Sequence, residues 1–324
     1  MASSGIGGQA VMEGVMMKHK DRYAVAVRKA DKEIIVETKD FRGICKNDTV
    51  KNIPIIRGVV NFIDSFVLGM STLAFSASFF EEEDERKADE LELDEQKANE
   101  QKADDLKSDE KKAKAEKAVM GFTIFLSVLL AVGIFMVLPY GISLFFSKMI
   151  TSATLLIVLE GVLRLLIFIC YIFLISKMKE IQRVFMYHGA EHKCINCIEH
   201  GLALNLENVK SSSRQHKRCG TSFLFFVMIV SIIATMFIRV DSRVLRLLLR
   251  LAIIPLIAGI SYEIIRLAGR SDNFFVNLIS RPGLWMQKLT TLEPEDSMIE
   301  VGIASVEAVF DWREYLANNT KEEH

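Results

Sequence analysis

His188-Gly189-Ala190-Glu191-His192 places two imidazoles and a carboxylate within five residues. On a helix, residues three and four apart share a face, so His188 and His192 could hold one divalent ion while Glu191 reaches a water beside it. That is the chemistry of metal-assisted hydrolysis, in the order opposite to the His-Glu-x-x-His run of zincins. The same residues could instead hydrogen-bond to backbone and to one another, and so short a pattern leaves both readings open. A second pattern, Cys194-Ile195-Asn196-Cys197, could join Cys219 or His200 in a small zinc site, although no second Cys-x-x-Cys completes it.

The elements that must position these groups are largely apolar. Taken as averages, 50% hydrophobic residues, 25% charged residues and a net charge of −1 would suit a soluble enzyme. The two classes are segregated, however. Residues 122–147, 152–176, 221–238 and 244–265 are apolar runs, each near the roughly 20 residues a helix needs to cross about 30 Å of hydrocarbon. Backbone groups in lipid must be satisfied within their own segment, so the expected fold class is mainly α, a multi-pass helical membrane protein with four transmembrane helices. Residues 53–80 form a further apolar run interrupted by Arg57, Asn61 and Asp64. An amphipathic or re-entrant helix is expected there, the alternative being a fifth span with Asp64 turned towards a polar interior.

Lysine and arginine set the expected orientation. The connector 177–218 carries eight of them, including Lys193, Lys210, Arg214 and Arg218, whereas the link between the first two spans offers only Lys148. The positive-inside rule then puts the connector and both termini on the cytoplasmic side of the cell membrane. No cleavable signal peptide is visible at the start. Residues 1–52 read as a glycine-rich opening followed by a short cytoplasmic β-hairpin at 23–28 and 33–38. Residues 81–118 are a charged spacer, repeating every five residues from Glu95; that period walks around a helix and excludes a coiled coil. Between the bundle, 119–270, and the end of the tail, 271–324, Arg281-Pro282-Gly283 reads as a turn. Ile299, Ile303, Val306 and Phe310 are then spaced for an amphipathic helix over about 296–317, lying against the cytoplasmic ends of the bundle.

Several longer motifs occur in one order: Gly7-Gly8-Gln9-Ala10-Val11-Met12-Glu13-Gly14, Arg57-Gly58, Tyr187-His188-Gly189-Ala190-Glu191-His192-Lys193, His216-Lys217-Arg218-Cys219-Gly220-Thr221 and Pro282-Gly283-Leu284. Together they resemble the bacterial YqhQ family, from residue 7 to about 312. The resemblance implies a multi-pass membrane protein and a metal-dependent enzyme, with no substrate attached. It marks His188, Glu191 and His192 as one motif and His216, Arg218, Cys219, Gly220 and Thr221 as another, with Lys217 where the family usually has proline. On this basis His216 is the first choice as third metal ligand, and Cys219 competes as a thiolate. Glu263 is a further candidate, because inverted-motif metallopeptidases take a downstream glutamate; an ion pair with Arg266 is its alternative. Gln9 and Glu13 could fold over the metal as a lid or clamp.

The expected function is therefore a metal-dependent hydrolase at the cytoplasmic membrane interface, acting on a peptide or lipid-linked substrate. A divalent metal, zinc by its donors, would serve as cofactor, with Glu191 as general base and Arg218 steadying the oxyanion. Two other classes stay open. One is a membrane scaffold or assembly factor recruiting a cytoplasmic protein partner or a homo-oligomer; the other is a metal-ion transporter using Glu160, Glu263 and the histidines. Glu160 and Arg164 could equally neutralise each other one turn apart. Nucleic acid is excluded as a partner by the lack of net positive charge.

Overall fold

The computed structural model describes residues 4–45, 49, 52–96, 121–123, 125–238, 240, 242–269 and 273–320, with 81–96, 243, 244, 247 and 320 as backbone alone. Four strands come first: β1 (Ile6–Val11), β2 (Gly14–His19), β3 (Arg22–Arg28) and β4 (Ile34–Asp40). They form one antiparallel meander in chain order. The expected hairpin is present as β3 and β4, and the glycine-rich opening supplies two more strands. Glu13 at φ 47° and Lys20 at φ 52° make the tight turns possible.

The helices follow: α1 (Ile56–Gln96), α2 (Gly121–Phe146), α3 (Ala153–Ile175), α4 (Lys179–Glu199), α5 (Leu206–Ser211), α6 (Gly220–Met236), α7 (Arg243–Ala252), α8 (Ile254–Ala268), α9 (Phe274–Thr290), α10 (Asp296–Glu307) and α11 (Trp312–Thr320). The chain divides into two compact units, residues 81–170 and the remainder. In the smaller one, Glu160 and Arg164 form an ion pair of 3.0 Å one turn apart on α3. The five-residue repeats beyond Gln96 lie outside the described residues.

In the larger unit the sheet is covered on both faces. Alternation along the strands sends Val15, Met17 and Ala26 towards Tyr187, Ala190 and Cys194 of α4 and Ile299 of α10. Val11, Met16, Val25 and Val27 go the other way, onto Leu68 and the phenylalanines of α1. The tail is corrected by this packing: residues 296–317 make two helices rather than one, and Ile299, Val306, Phe310 and Trp312 belong to the sheet-side core.

Among the described residues, three helices are long and apolar enough to cross a membrane: Ile56–Phe80, Gly121–Phe146 and Ala153–Ile175. Two of the four expected spans fall short of that length as single helices. Residues 221–238 give α6, whose 17 residues extend about 26 Å. Residues 244–265 break at Ile253 into α7 and α8, because Pro255 has no N–H to continue the ladder. Conversely, the run at 53–80 makes an uninterrupted helix, its polar groups being satisfied inside the unit. Asp64 is buried and accepts the Ile44 N–H at 2.8 Å, Arg57 pairs with Glu263, and Asn61 donates to the Tyr262 hydroxyl at 3.1 Å. Gly58 permits this crossing: a Cβ there would lie 2.9 Å from Gly259 Cα on α8.

Candidate metal centre

Helix α4 is buried from Tyr187 to Ile198 apart from the partly exposed His188. One turn apart on it, the His188 and His192 rings stand 4.4 Å centroid to centroid. Each ring is held from behind by a backbone carbonyl: Nδ1 of His188 meets Thr290 O at 2.8 Å and Nδ1 of His192 meets Arg214 O at 2.6 Å. A carbonyl only accepts, so both Nδ1 atoms carry a proton and both Nε2 atoms face another partner, as N–H donors when the ring is charged and as lone-pair donors when it is neutral. That partner is Cys219, the N-cap of α6. Its Sγ lies 3.2 Å from His188 Nε2, stands within 4.8 Å of the His192 ligand nitrogen, and receives the Thr221 N–H at 3.4 Å.

The ligand atoms of His188, His192 and Cys219 all lie within 4.8 Å of one another. Tetrahedral zinc with ordinary Zn–S and Zn–N bonds would separate sulfur from nitrogen by about 3.5 Å, so the donors fit such an ion after small shifts. Imidazoles tied through Nδ1 to carbonyls are also the usual outer shell of metal-binding histidines. Burial alone would push the Cys219 thiol up and the imidazoles down. Mutual attraction wins in both cases, holding Cys219 well below the ordinary thiol range and His188 at about 9. The cluster thus stores a thiolate, the form that binds metal.

Glu191 is buried on the same face, its carboxylate 3.8 Å from His188 Nε2. Strand β1 makes room for it, since a Cβ on Gly8 would stand 2.7 Å from Glu191 Cγ.

The remaining candidates are placed elsewhere. His216, expected as third ligand, faces Glu199 at 3.4 Å and does not join the three donors, although its ring lies 5.7 Å from that of His192. Arg218 is clamped to the same Glu199, which also accepts from the Ser4 N–H and hydroxyl and so ties the N-terminal segment to α4. Glu263 is occupied by Arg57, with Arg266 at 4.0 Å. Gln9 donates to Gly69 O on α1, and Glu13 holds Arg183 and the Tyr187 hydroxyl, so neither closes over the cluster. Cys197 donates to the Leu202 and Ala203 carbonyls and His200 turns to Asn196 O, so the Cys-x-x-Cys pair sits in the core and, among the described residues, does not join the three donors. What sequence reasoning missed are Gly8, Glu199 and the Thr290 and Arg214 carbonyls. Gly8 stood in a motif already singled out, whereas a backbone acceptor leaves no residue-type signal.

The molecule is thus a mainly helical protein with, among the described residues, three helices of membrane-crossing length and composition and a largely buried His–His–Cys cluster beside a small antiparallel sheet. Residues 53–312 match the family described as "Protein of unknown function (DUF1385)". The chain is also 35% identical over 328 residues to the "Uncharacterized protein YqhQ" of Bacillus subtilis (strain 168), a match covering 98% of this chain and 96% of that protein. It belongs to this family, the one its motifs resemble. No solved structure matches the chain.

Proposed function

We propose that the protein is a multi-pass membrane enzyme that binds a zinc-like ion through His188, His192 and Cys219 and hydrolyses a peptide or lipid-linked substrate at the cytoplasmic face. One observation carries this reading: three donor atoms within 4.8 Å, two of them on imidazoles aimed by backbone carbonyls. A bound ion would supply Lewis acidity, lowering the pKa of a water towards about 7. Glu191, beside His188 and without a hydrogen bond among the described residues, would act as the general base, holding the proton of an attacking water and passing it to the leaving group. Cys219 replaces His216 as the third ligand in this reading, and Arg218 has no part in the chemistry.

Metal content per chain tests it, measured on detergent-purified full-length protein prepared without chelator. Near-stoichiometric metal is expected in the wild type and in His216→Ala, and loss in His188→Ala and Cys219→Ala. Glu191→Gln should keep the ion and lose turnover. The 3.2 Å contact between His188 and Cys219 favours one second reading, a thiol hydrolase with Cys219 as nucleophile and His188 as its base. It predicts no bound metal and stoichiometric alkylation of Cys219. Absence of both metal and thiol reactivity would leave the scaffold class.

A further inference from the structure

Helix α9 is built inside out for a protein in water. Its inward face is small and polar: Ser280, Gly283, Gln287 and Thr290 are buried, with Met286 the single large apolar member. Its outward face carries Phe274, Phe275, Ile279 and Trp285 at 68%, 69%, 53% and 51% exposure. At 100° per residue Phe274 and Trp285 fall opposite Gly283 and Gln287, with Phe275 and Ile279 on the flank of that face. A soluble helix would rotate to bury the aromatic face. Here it cannot, because the inward face is bonded in place. Gln287 accepts the His216 N–H at 2.8 Å and donates to His216 O and Ser222 Oγ at 2.7 and 2.8 Å, and Gly283 lies so close to Ser222 that a Cβ would stand 2.7 Å from its hydroxyl.

The contacts of α9 tie it to the start of α6. Asn277 accepts from Lys217, the Leu284 carbonyl accepts from Gln215, and Thr290 lies beside Thr221, so its inward face is held by the segment that leads into the apolar helix α6. Within 274–290 there is no acidic residue, and Arg281 and Lys288 are exposed on the outward side. An exposed aromatic and aliphatic face flanked by cations, beside the start of an apolar helix, matches a bilayer surface with anionic headgroups, where Trp and Phe sit at the level of the acyl-chain boundary.

We propose that α9 is an in-plane membrane-surface helix whose Phe274, Phe275, Ile279 and Trp285 face rests in an anionic phospholipid surface. Thr290, the last residue of the same helix, holds His188 through its carbonyl, so the cluster lies about one helix width, roughly 10 Å, from the lipid. The inference rests on the membrane location proposed above but not on metal binding or catalysis.

The chain contains two tryptophans, which makes the test direct. Trp312 lies in the sheet-side core, so Trp312→Phe leaves Trp285 as a reporter on α9 and Trp285→Phe leaves the core control. Full-length protein is reconstituted into phosphatidylcholine–phosphatidylglycerol vesicles whose phosphatidylcholine carries bromines near the top of its acyl chains. Trp285 should lose about half its emission relative to unbrominated vesicles, consistent with a depth of about 5–10 Å, while Trp312 changes little. Arg281→Gln with Lys288→Gln should weaken that quenching. Equal quenching of the two tryptophans would overturn the proposal. So would shielding of Trp285 from both bromines and aqueous acrylamide, which would mean that a second copy or another protein covers the face. Should Trp312→Phe fail to fold, the difference between wild type and Trp285→Phe isolates the same fluorophore. Protein that does not float with vesicles would remove the membrane location itself, and this inference with it, while leaving the metal measurement standing.

Discussion

Replacing Gly189 with alanine should weaken both the fold and the cluster. By helix propensity alone the change would stabilise α4 by about 1 kcal/mol. The structure reverses the sign. A Cβ at this position would stand 2.1 Å from the Leu292 carbonyl oxygen, more than an ångström inside ordinary contact, and the obstacle is backbone that no rotamer change can clear. The Leu292 N–H is bonded to Phe185 O at 2.9 Å, so pushing this segment away breaks a bond between it and α4. Overpacking of this kind costs about 1–3 kcal/mol and the lost hydrogen bond about 1 kcal/mol more. After the propensity gain, net destabilisation of about 1–3 kcal/mol remains. Two residues earlier, Thr290 offers the carbonyl that aims His188, so metal affinity should fall about 10–100-fold as well. Thermal unfolding of the purified protein followed by circular dichroism, beside metal titration of the same sample, reads both effects. A variant at least as stable as wild type, with unchanged affinity, would refute the close approach and the aiming role of Thr290 together.

Glu199→Gln should change the acid limb of stability. Burial would raise this carboxyl, but His216, Arg218 and Ser4 hold it at about 2, below the ordinary 4.5. A depressed carboxyl stabilises the fold above its unfolded value and loses that contribution as pH falls from about 4.5 through 2, a difference on the order of 3 kcal/mol. The variant should therefore be less stable near neutrality and lack that limb in unfolding measured against pH; a parallel pH profile would count against the cluster. Gly8→Ala should spare metal content but displace Glu191, since the added Cβ meets its flexible side chain at 2.7 Å, and so should reproduce the loss of turnover of Glu191→Gln. Glu263→Gln should lower the unfolding temperature by stranding Arg57, with metal content intact; loss of the ion would return Glu263 to the ligand set.

Much of this protein is local and therefore readable along the chain. The apolar runs at 122–147 and 152–176 become helices because their backbones have no better way to satisfy themselves, and the pairing of His188 with His192 follows from four-residue spacing on any helix. The hairpin of β3 and β4 was visible in its alternation, as was the apolar stripe of the tail. Other features depend on partners distant in sequence. Asp64 looks too polar for an uninterrupted apolar helix until the Ile44 N–H is found beside it, and Glu263 looks like a metal ligand until Arg57 is seen to hold it. The third donor could not be chosen by spacing, because His216 and Cys219 are three residues apart in one segment. Only packing against Glu199 turns the imidazole away, and only the start of α6 turns the thiolate in. Residue types alone thus determined that a His-x-x-Glu-His motif and apolar helices share this chain. Which groups meet, and which side of α9 is left facing outward, was decided by tertiary contacts whose energies depend on burial and direction rather than on order along the sequence.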